Sequence, residues 1–156
     1  MARGNAGRHA GGHAGGHARG RMETANFELS FPLKAEYVSI ARLTVSGIAN
    51  RAGFDIDTIE DIKVSLSEIC NRLIKGSRHA GEPCAVRFTL TGGGLEIRFS
   101  LPGAGVDAWF GADGQGDAES TLGLSLIELL MDEFVVNPNE GCVVYMKKNL
   151  DTVGQA

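Results

Sequence analysis

The sequence has no apolar run long enough to cross a bilayer, and no apolar core follows the arginines near its start. A spanning helix needs about 20 mostly apolar residues, and a secretory leader needs an apolar core behind its basic end. The expected location is therefore the cytoplasm, with no membrane partner. Cysteine is also sparse. Cys70, Cys84 and Cys142 are odd in number and far apart, with no Cys-x-x-Cys and no Cys/His ligand spacing. That argues against a disulfide framework or a zinc site. A free thiol behaves as a small apolar group, so core positions are expected for all three. Acidic residues are missing before Glu23, where the only charges are Arg3, Arg8, Arg19 and Arg21. Without those four arginines the chain carries 11 basic against 19 acidic residues, a formal charge of −8, although the whole chain is −4. An acidic body disfavours direct nucleic-acid binding and suits a protein partner with basic patches.

Residues 1–21 hold almost only Gly, Ala, His and Arg, and a His-Ala-Gly-Gly unit places His9, His13 and His17 four apart. Histidines at that spacing on a helix can share a metal. Glycine this dense opposes a helix, however, and nothing apolar is present to bury. The expectation is a disordered tail over 1–22, or an extension ahead of a start at Met22. One domain over 23–150 and a disordered end over 151–156 complete the division, and 156 residues suit a single domain.

The body shows regular patterns. Phe27, Leu29, Phe31 and Leu33 alternate with polar residues, as in a half-buried strand ending near Pro32. Tyr37, Ile40, Ala41, Val45 and Ile48 form a helical face stopped by Gly53. Asp57-Thr-Ile-Glu60 reads as a capping box for a second helix. That helix has a buried stripe of Ile59, Ile62, Leu66, Ile69, Cys70 and Leu73, opposed by Asp61, Ser65, Glu68 and Arg72. Strands over Ala85–Leu90 and Leu95–Ser100 flank Thr91-Gly-Gly-Gly94, a hairpin signal. Residues 101–121 form a Gly/Asp/Ala-rich loop, long enough to be a lid or binding loop. An apolar helix over Leu122–Met131 precedes a second hairpin, Phe134–Val136 with Cys142–Lys147. The class is α+β: a two-layer sandwich with a mixed, mostly antiparallel sheet and helices on one face.

Four ordered stretches carry a resemblance: Ile59-Glu-Asp-Ile-Lys-Val-Ser-Leu-Ser-Glu-Ile-Cys70; Leu95–Ser100 leading into Gly103-Ala-Gly105; Leu122-Gly-Leu-Ser-Leu-Ile-Glu-Leu-Leu-Met-Asp-Glu133; and Gly141-Cys-Val-Val-Tyr-Met-Lys-Lys148. Their order is similar to that of the anti-sigma-factor serine/threonine protein kinases of bacterial partner-switching systems. These belong to the histidine-kinase-like ATPases (the GHKL, or Bergerat, fold). The resemblance spans about residues 26–150. It implies ATP and Mg²⁺ as cofactors, a sigma factor and a STAS-type anti-anti-sigma protein as partners, and a homodimer.

The resemblance also assigns roles. Glu68 is the candidate base, or else an i, i+4 salt-bridge partner of Arg72. The family's Mg²⁺-binding asparagine falls at Arg72, which cannot ligate a metal and is left as a phosphate contact. Asn71 is adjacent, but one residue turns a helix by about 100°. The family's adenine-binding aspartate falls at Leu101. Gly103 and Gly105 remain as a lid remnant or as turn glycines. Of the family's Gly-x-Gly at a helix start, only Gly123 survives in Thr121-Leu-Gly123, facing a phosphate or allowing close helix–sheet packing. Trp109 and Phe110 are packing anchors or partner contacts, and Lys147 and Lys148 a solvated strand end. These substitutions touch metal, base and phosphate recognition, so weak ATP binding is expected. The implied function is anti-sigma-like sequestration with an impaired ATP site. The alternatives are an active ATP-dependent serine kinase acting on the STAS-type partner, or a free-standing kinase-like domain in another circuit.

Overall fold

The computed structural model describes residues 23–76, 81–103, 109, 118–137, 141 and 143–151. Strand β1 (Ala25–Pro32) leads through a 3-10 turn at Ala35–Tyr37 into helix α1 (Val38–Ala52), followed by α2 (Ile56–Gly76). Strands β2 (Pro83–Thr91) and β3 (Gly94–Ser100) form a hairpin around Gly92 and Gly93. Helix α3 (Ala118–Leu130), β4 (Glu133–Asn137) and β5 (Val143–Asn149) complete the body. The sheet runs β1-β2-β3-β5-β4, and all four pairings are antiparallel, with no parallel pair among the described strands. The chain returns from α3 through β4 and then folds β5 back between β3 and β4. That connection makes both new pairs antiparallel. The α+β architecture with helices on one face is as expected.

Period-2 alternation makes the sheet two-faced. Cys84, Val86, Phe88 and Leu90 of β2, Leu95, Ile97 and Phe99 of β3, and Val144 and Met146 of β5 point inward and are buried. The helices meet them with Ala41, Val45 and Ile48 of α1 and Ile62, Leu66, Ile69 and Leu73 of α2. The outer face is polar. There Arg87 donates to Glu28 at 3.1 Å, and the Tyr145 hydroxyl lies 3.0 Å from Glu96 and 3.3 Å from Glu133. Desolvation and these two carboxylates push the Tyr145 hydroxyl up from its ordinary range.

The element ends show why the chain turns where it does. Gly53 has φ 95°, and Phe54 N–H donates back to Ala49 while Gly53 N–H donates to Asn50. That double bond pattern needs a left-handed residue, which glycine supplies. Gly94 is required for a different reason: a Cβ there would run into the Lys148 carbonyl of β5.

Several expectations are corrected. The α2 cap is Asp55, not Asp57: its carboxylate accepts the Thr58 N–H at 2.8 Å. Ile40 lies off the buried stripe of α1 and is 46% exposed, because Ala41, Val45, Ile48 and Ala52 already complete that stripe. Phe27 is exposed on edge strand β1. Helix α3 begins at Ala118, four residues before Leu122. Lys148 is not merely solvated, for its ammonium donates to the Leu130 carbonyl at 2.8 Å and caps the end of α3. Cys70 and Cys84 are buried free thiols, and burial pushes the Cys70 thiol up. Cys142, Gly105, Phe110, the tail over 1–22 and residues 152–156 lie outside the described residues. No helix among the described residues is long and apolar enough to cross a membrane.

Candidate functional site

Helix α2 supplies most of the site, because it has two working faces. Its stripe of Ile59, Ile62, Leu66, Ile69, Cys70 and Leu73 is buried throughout, as the 3.6-residue period requires. The opposite stripe is not simply exposed. Ser65 is fully buried with no hydrogen-bond partner for its hydroxyl, while Glu68 and Arg72 are half-buried. Helix α3 packs against α2 and takes up part of this second face.

A cavity of about 260 Å³ lies between the two helices. Glu68, Asn71, Arg72 and Lys75 line it from α2, Gly123 lines it from α3, and Ile74, Leu124 and Ile127 form an apolar wall. Positions 68, 71, 72 and 75 are spaced i, i+3, i+4 and i+7, so one helical face presents all four. Lys75 was missed in the sequence, although this spacing would have found it. Asn71 does reach the cavity, despite its offset from the asparagine position.

The Glu68 carboxylate presses against α3. A Cβ added to Gly123 would sit 2.7 Å from Glu68 Oε2. The close approach at Gly123 is thus between helices, not between helix and sheet. Gly123 also lies in the second turn of α3, five residues beyond Ala118. Its N–H is past the unpaired first turn, so this helix does not open with bare donors at residue 123.

Arg72 is committed elsewhere than expected. Its Nε donates to the Trp109 carbonyl at 3.0 Å, and its guanidinium carbon lies 4.9 Å from the Trp109 ring centre. The i, i+4 pair to Glu68 is not among the ion pairs of the described residues. Trp109 is 3% exposed and meets Phe134 of β4 with ring centres 6.1 Å apart. Leu101 is fully buried at the end of β3, and its N–H donates to the Gly141 carbonyl at 3.0 Å. It does not line the cavity. Gly103 is exposed with φ 78°, a turn that favours glycine.

Mg²⁺ takes oxygen ligands in a near-octahedral set, in nucleotide sites from one or two protein side chains together with waters and phosphates. Among the described residues of the lining, Glu68 and Asn71 carry the side-chain oxygens, and the guanidinium of Arg72 stands beside them. Among the described residues no group of three His, Cys, Asp or Glu could hold a metal. Arg72 and Lys75 bring two positive charges to the cavity lining.

A two-layer fold with its polar cavity against the long second helix defines a histidine kinase-like ATPase domain, and the model of that family matches residues 31–148. The more specific likeness is to the serine-protein kinase RsbW. The Bacillus pumilus (strain SAFR-032) protein is 37% identical over 138 residues, covering 80% of this chain and 85% of its own length. The Bacillus cereus (strain AH187) protein is 38% identical over 133 residues, covering 78% and 82%. A crystal structure of the RsbU and RsbW domains of Rv1364c from Mycobacterium tuberculosis shares the fold, with TM-score 0.60 at 16% identity. That match covers 80% of this chain and 31% of the longer one. The chain belongs to the anti-sigma-factor serine-protein kinase family of the histidine kinase-like ATPases, a family that uses ATP and Mg²⁺.

Proposed function

We propose that this chain is a cytoplasmic binding protein of a bacterial partner-switching circuit. It sequesters a sigma factor, a STAS-type anti-anti-sigma protein, or both, and acts as a homodimer with an impaired ATP site. The observation that carries this reading is the state of Arg72. At the position where the family resemblance puts the metal ligand, the chain has a guanidinium bound to Trp109, beside the candidate base Glu68. A cation there repels Mg²⁺, and losing the metal removes several kcal/mol of charge stabilisation in phosphoryl transfer. Kinship with RsbW at 37% identity over most of both chains supports the choice of partners.

The second reading is an active kinase that transfers phosphate from ATP to a serine of the STAS-type partner. Glu68 in a polar cavity, with Lys75 on the same helix face, favours it. The two readings separate in one pair of measurements. Capture from the native cytoplasm, with the bound protein identified, should recover a sigma factor or STAS-type protein. Mg²⁺-dependent transfer of labelled phosphate to that partner should be absent. Transfer at the rate of an active relative would replace the first reading with the second, and capture of neither partner class would remove both.

A further inference from the structure

The helices cover one face of the sheet and leave the other to solvent. One row of that outer face crosses all five strands: Glu28, Arg87, Arg98, Tyr145 and Val135. Arg87 and Arg98 stand directly opposite each other on β2 and β3. Like charges so placed repel, and Arg87 alone is neutralised, by Glu28 at 3.1 Å. Arg98 is exposed and forms no ion pair among the described residues. The other carboxylates of this face, Glu96 and Glu133, meet the Tyr145 hydroxyl instead, at 3.0 and 3.3 Å. Those contacts hold the phenol in place, and the Arg98 guanidinium carbon lies 6.0 Å from its ring centre. A cavity of about 300 Å³ opens here, lined by Arg98, Val135, Asn137, Val143 and Tyr145. Val135 is 56% exposed, so the apolar part of the lining is open to a partner.

We propose that this groove is a docking site for a protein segment that carries a carboxylate beside an apolar side chain. Charge complementarity selects that occupant. The Arg98 guanidinium lacks a counter-ion among the described residues, and its planar fork suits a carboxylate. A carboxylate there also relieves the repulsion between Arg87 and Arg98. The walls suit more than a loose anion, because Val135, Val143 and the Tyr145 ring offer apolar contact around the cation. Arginine and tyrosine are among the residue types most enriched where interfaces bind hardest. A second copy fits less well. Its equivalent face brings Glu28 already joined to Arg87, and Glu96 and Glu133 already joined to Tyr145. The inference rests on the reading of the chain as a binding protein. It does not rest on the cavity between α2 and α3, which lies on the helical side of the sheet.

The probes are three blocked tripeptides: acetyl-Leu-Asp-Val-amide and its counterparts with Asn or Lys at the centre. Amide NMR shifts on the full chain report where each one lands. At about 0.15 M salt, charges farther apart than about 8 Å are screened, so the acidic body does not mask a contact preference. The Asp peptide should shift Arg98, Val135 and Tyr145, and bind about three- to tenfold tighter than the Asn peptide. The Lys peptide should bind weakest. Arg98→Gln should abolish the preference for Asp over Asn, and Arg98→Lys should keep part of it. No shift at those three residues, equal binding of the Asp and Asn peptides, or a preference that survives Arg98→Gln overturns the proposal. Dimer dissociation on Arg98→Gln, with no peptide preference in the wild type, assigns the face to a second copy and also overturns it. A failed capture of sigma factor or STAS-type protein would sink the proposed function and leave the peptide preference standing.

Discussion

Leu101→Asp puts an acceptor where the family resemblance places one for adenine, but the structure predicts a stability failure instead. Leu101 is 0% exposed and belongs to the main core. Truncating a fully buried leucine costs about 2–5 kcal/mol. The carboxyl adds a second penalty. Burial raises its folded pKa above an unfolded value near 3.9, so keeping it neutral at pH 7 costs up to about 4 kcal/mol. The sum of about 6–9 kcal/mol is comparable with the whole stability of an ordinary domain, about 5–15 kcal/mol. The sign with pH follows from linkage. The second penalty is absent below the unfolded pKa and grows as pH rises towards the folded one. Between pH 5 and pH 7 the variant should therefore lose about 2.7 kcal/mol relative to Leu101→Asn, which has the same size and no titration. Urea unfolding of wild type and both variants at the two pH values measures this. If Leu101→Asp is as stable as wild type, or tracks Leu101→Asn at both pH values, then water or a ligand reaches residue 101 and the reasoning fails.

Gly123→Ala should be neutral to stabilising. Alanine gains about 1 kcal/mol over glycine inside a helix, and the clash at 2.7 Å is with the movable end of Glu68. The expected rise in Tm is about 3 °C, and a fall of that size would show that the Glu68 carboxylate is locked against α3. Asp55→Ala should lower stability at pH 7 and converge on wild type in acid. The Thr58 backbone N–H holds the Asp55 carboxyl below its ordinary range, so its stabilisation is present above that range and lost as pH falls through the lowered value. A gap between the two proteins that does not change with pH would refute this. Deleting residues 1–21 should leave both Tm and partner capture unchanged, since no apolar pattern precedes Met22; a clear drop in either would give the tail a role.

Periodicity located the layers because it is a property of one element at a time. The six apolar residues of α2 from Ile59 to Leu73 are all buried, and the β2–β3 hairpin turns at the glycine run. What periodicity could not show is which third element covers a second face. Ser65 reads as solvent-facing from its own helix, yet it is fully buried once the neighbouring elements pack on α2. Lys148 likewise reads as a wet strand end until the C-terminus of α3 is placed beside it. The shift of the cap from Asp57 to Asp55 has a local cause. Both aspartates can cap, and the two-residue link from Gly53 selects the earlier one.

The cavity divides in the same way. Glu68 and Arg72 were legible as one helix face; Asn71 and Lys75 join them in the cavity only once α3 is placed opposite. The behaviour of Arg72 was not legible, because it depends on Trp109, 37 residues away in a stretch with no periodicity. Sequence motifs therefore predict a lost metal ligand, whereas the structure adds a gained contact. The difference matters for repair. Restoring asparagine at residue 72 would return a metal ligand and also remove the hydrogen bond and ring contact to Trp109, so the two would change together. Their effects on affinity should not add, since residues that share a partner couple by about 0.5–3 kcal/mol. A variant at Trp109 alone removes the ring contact with the guanidinium still in place, and so separates the two causes.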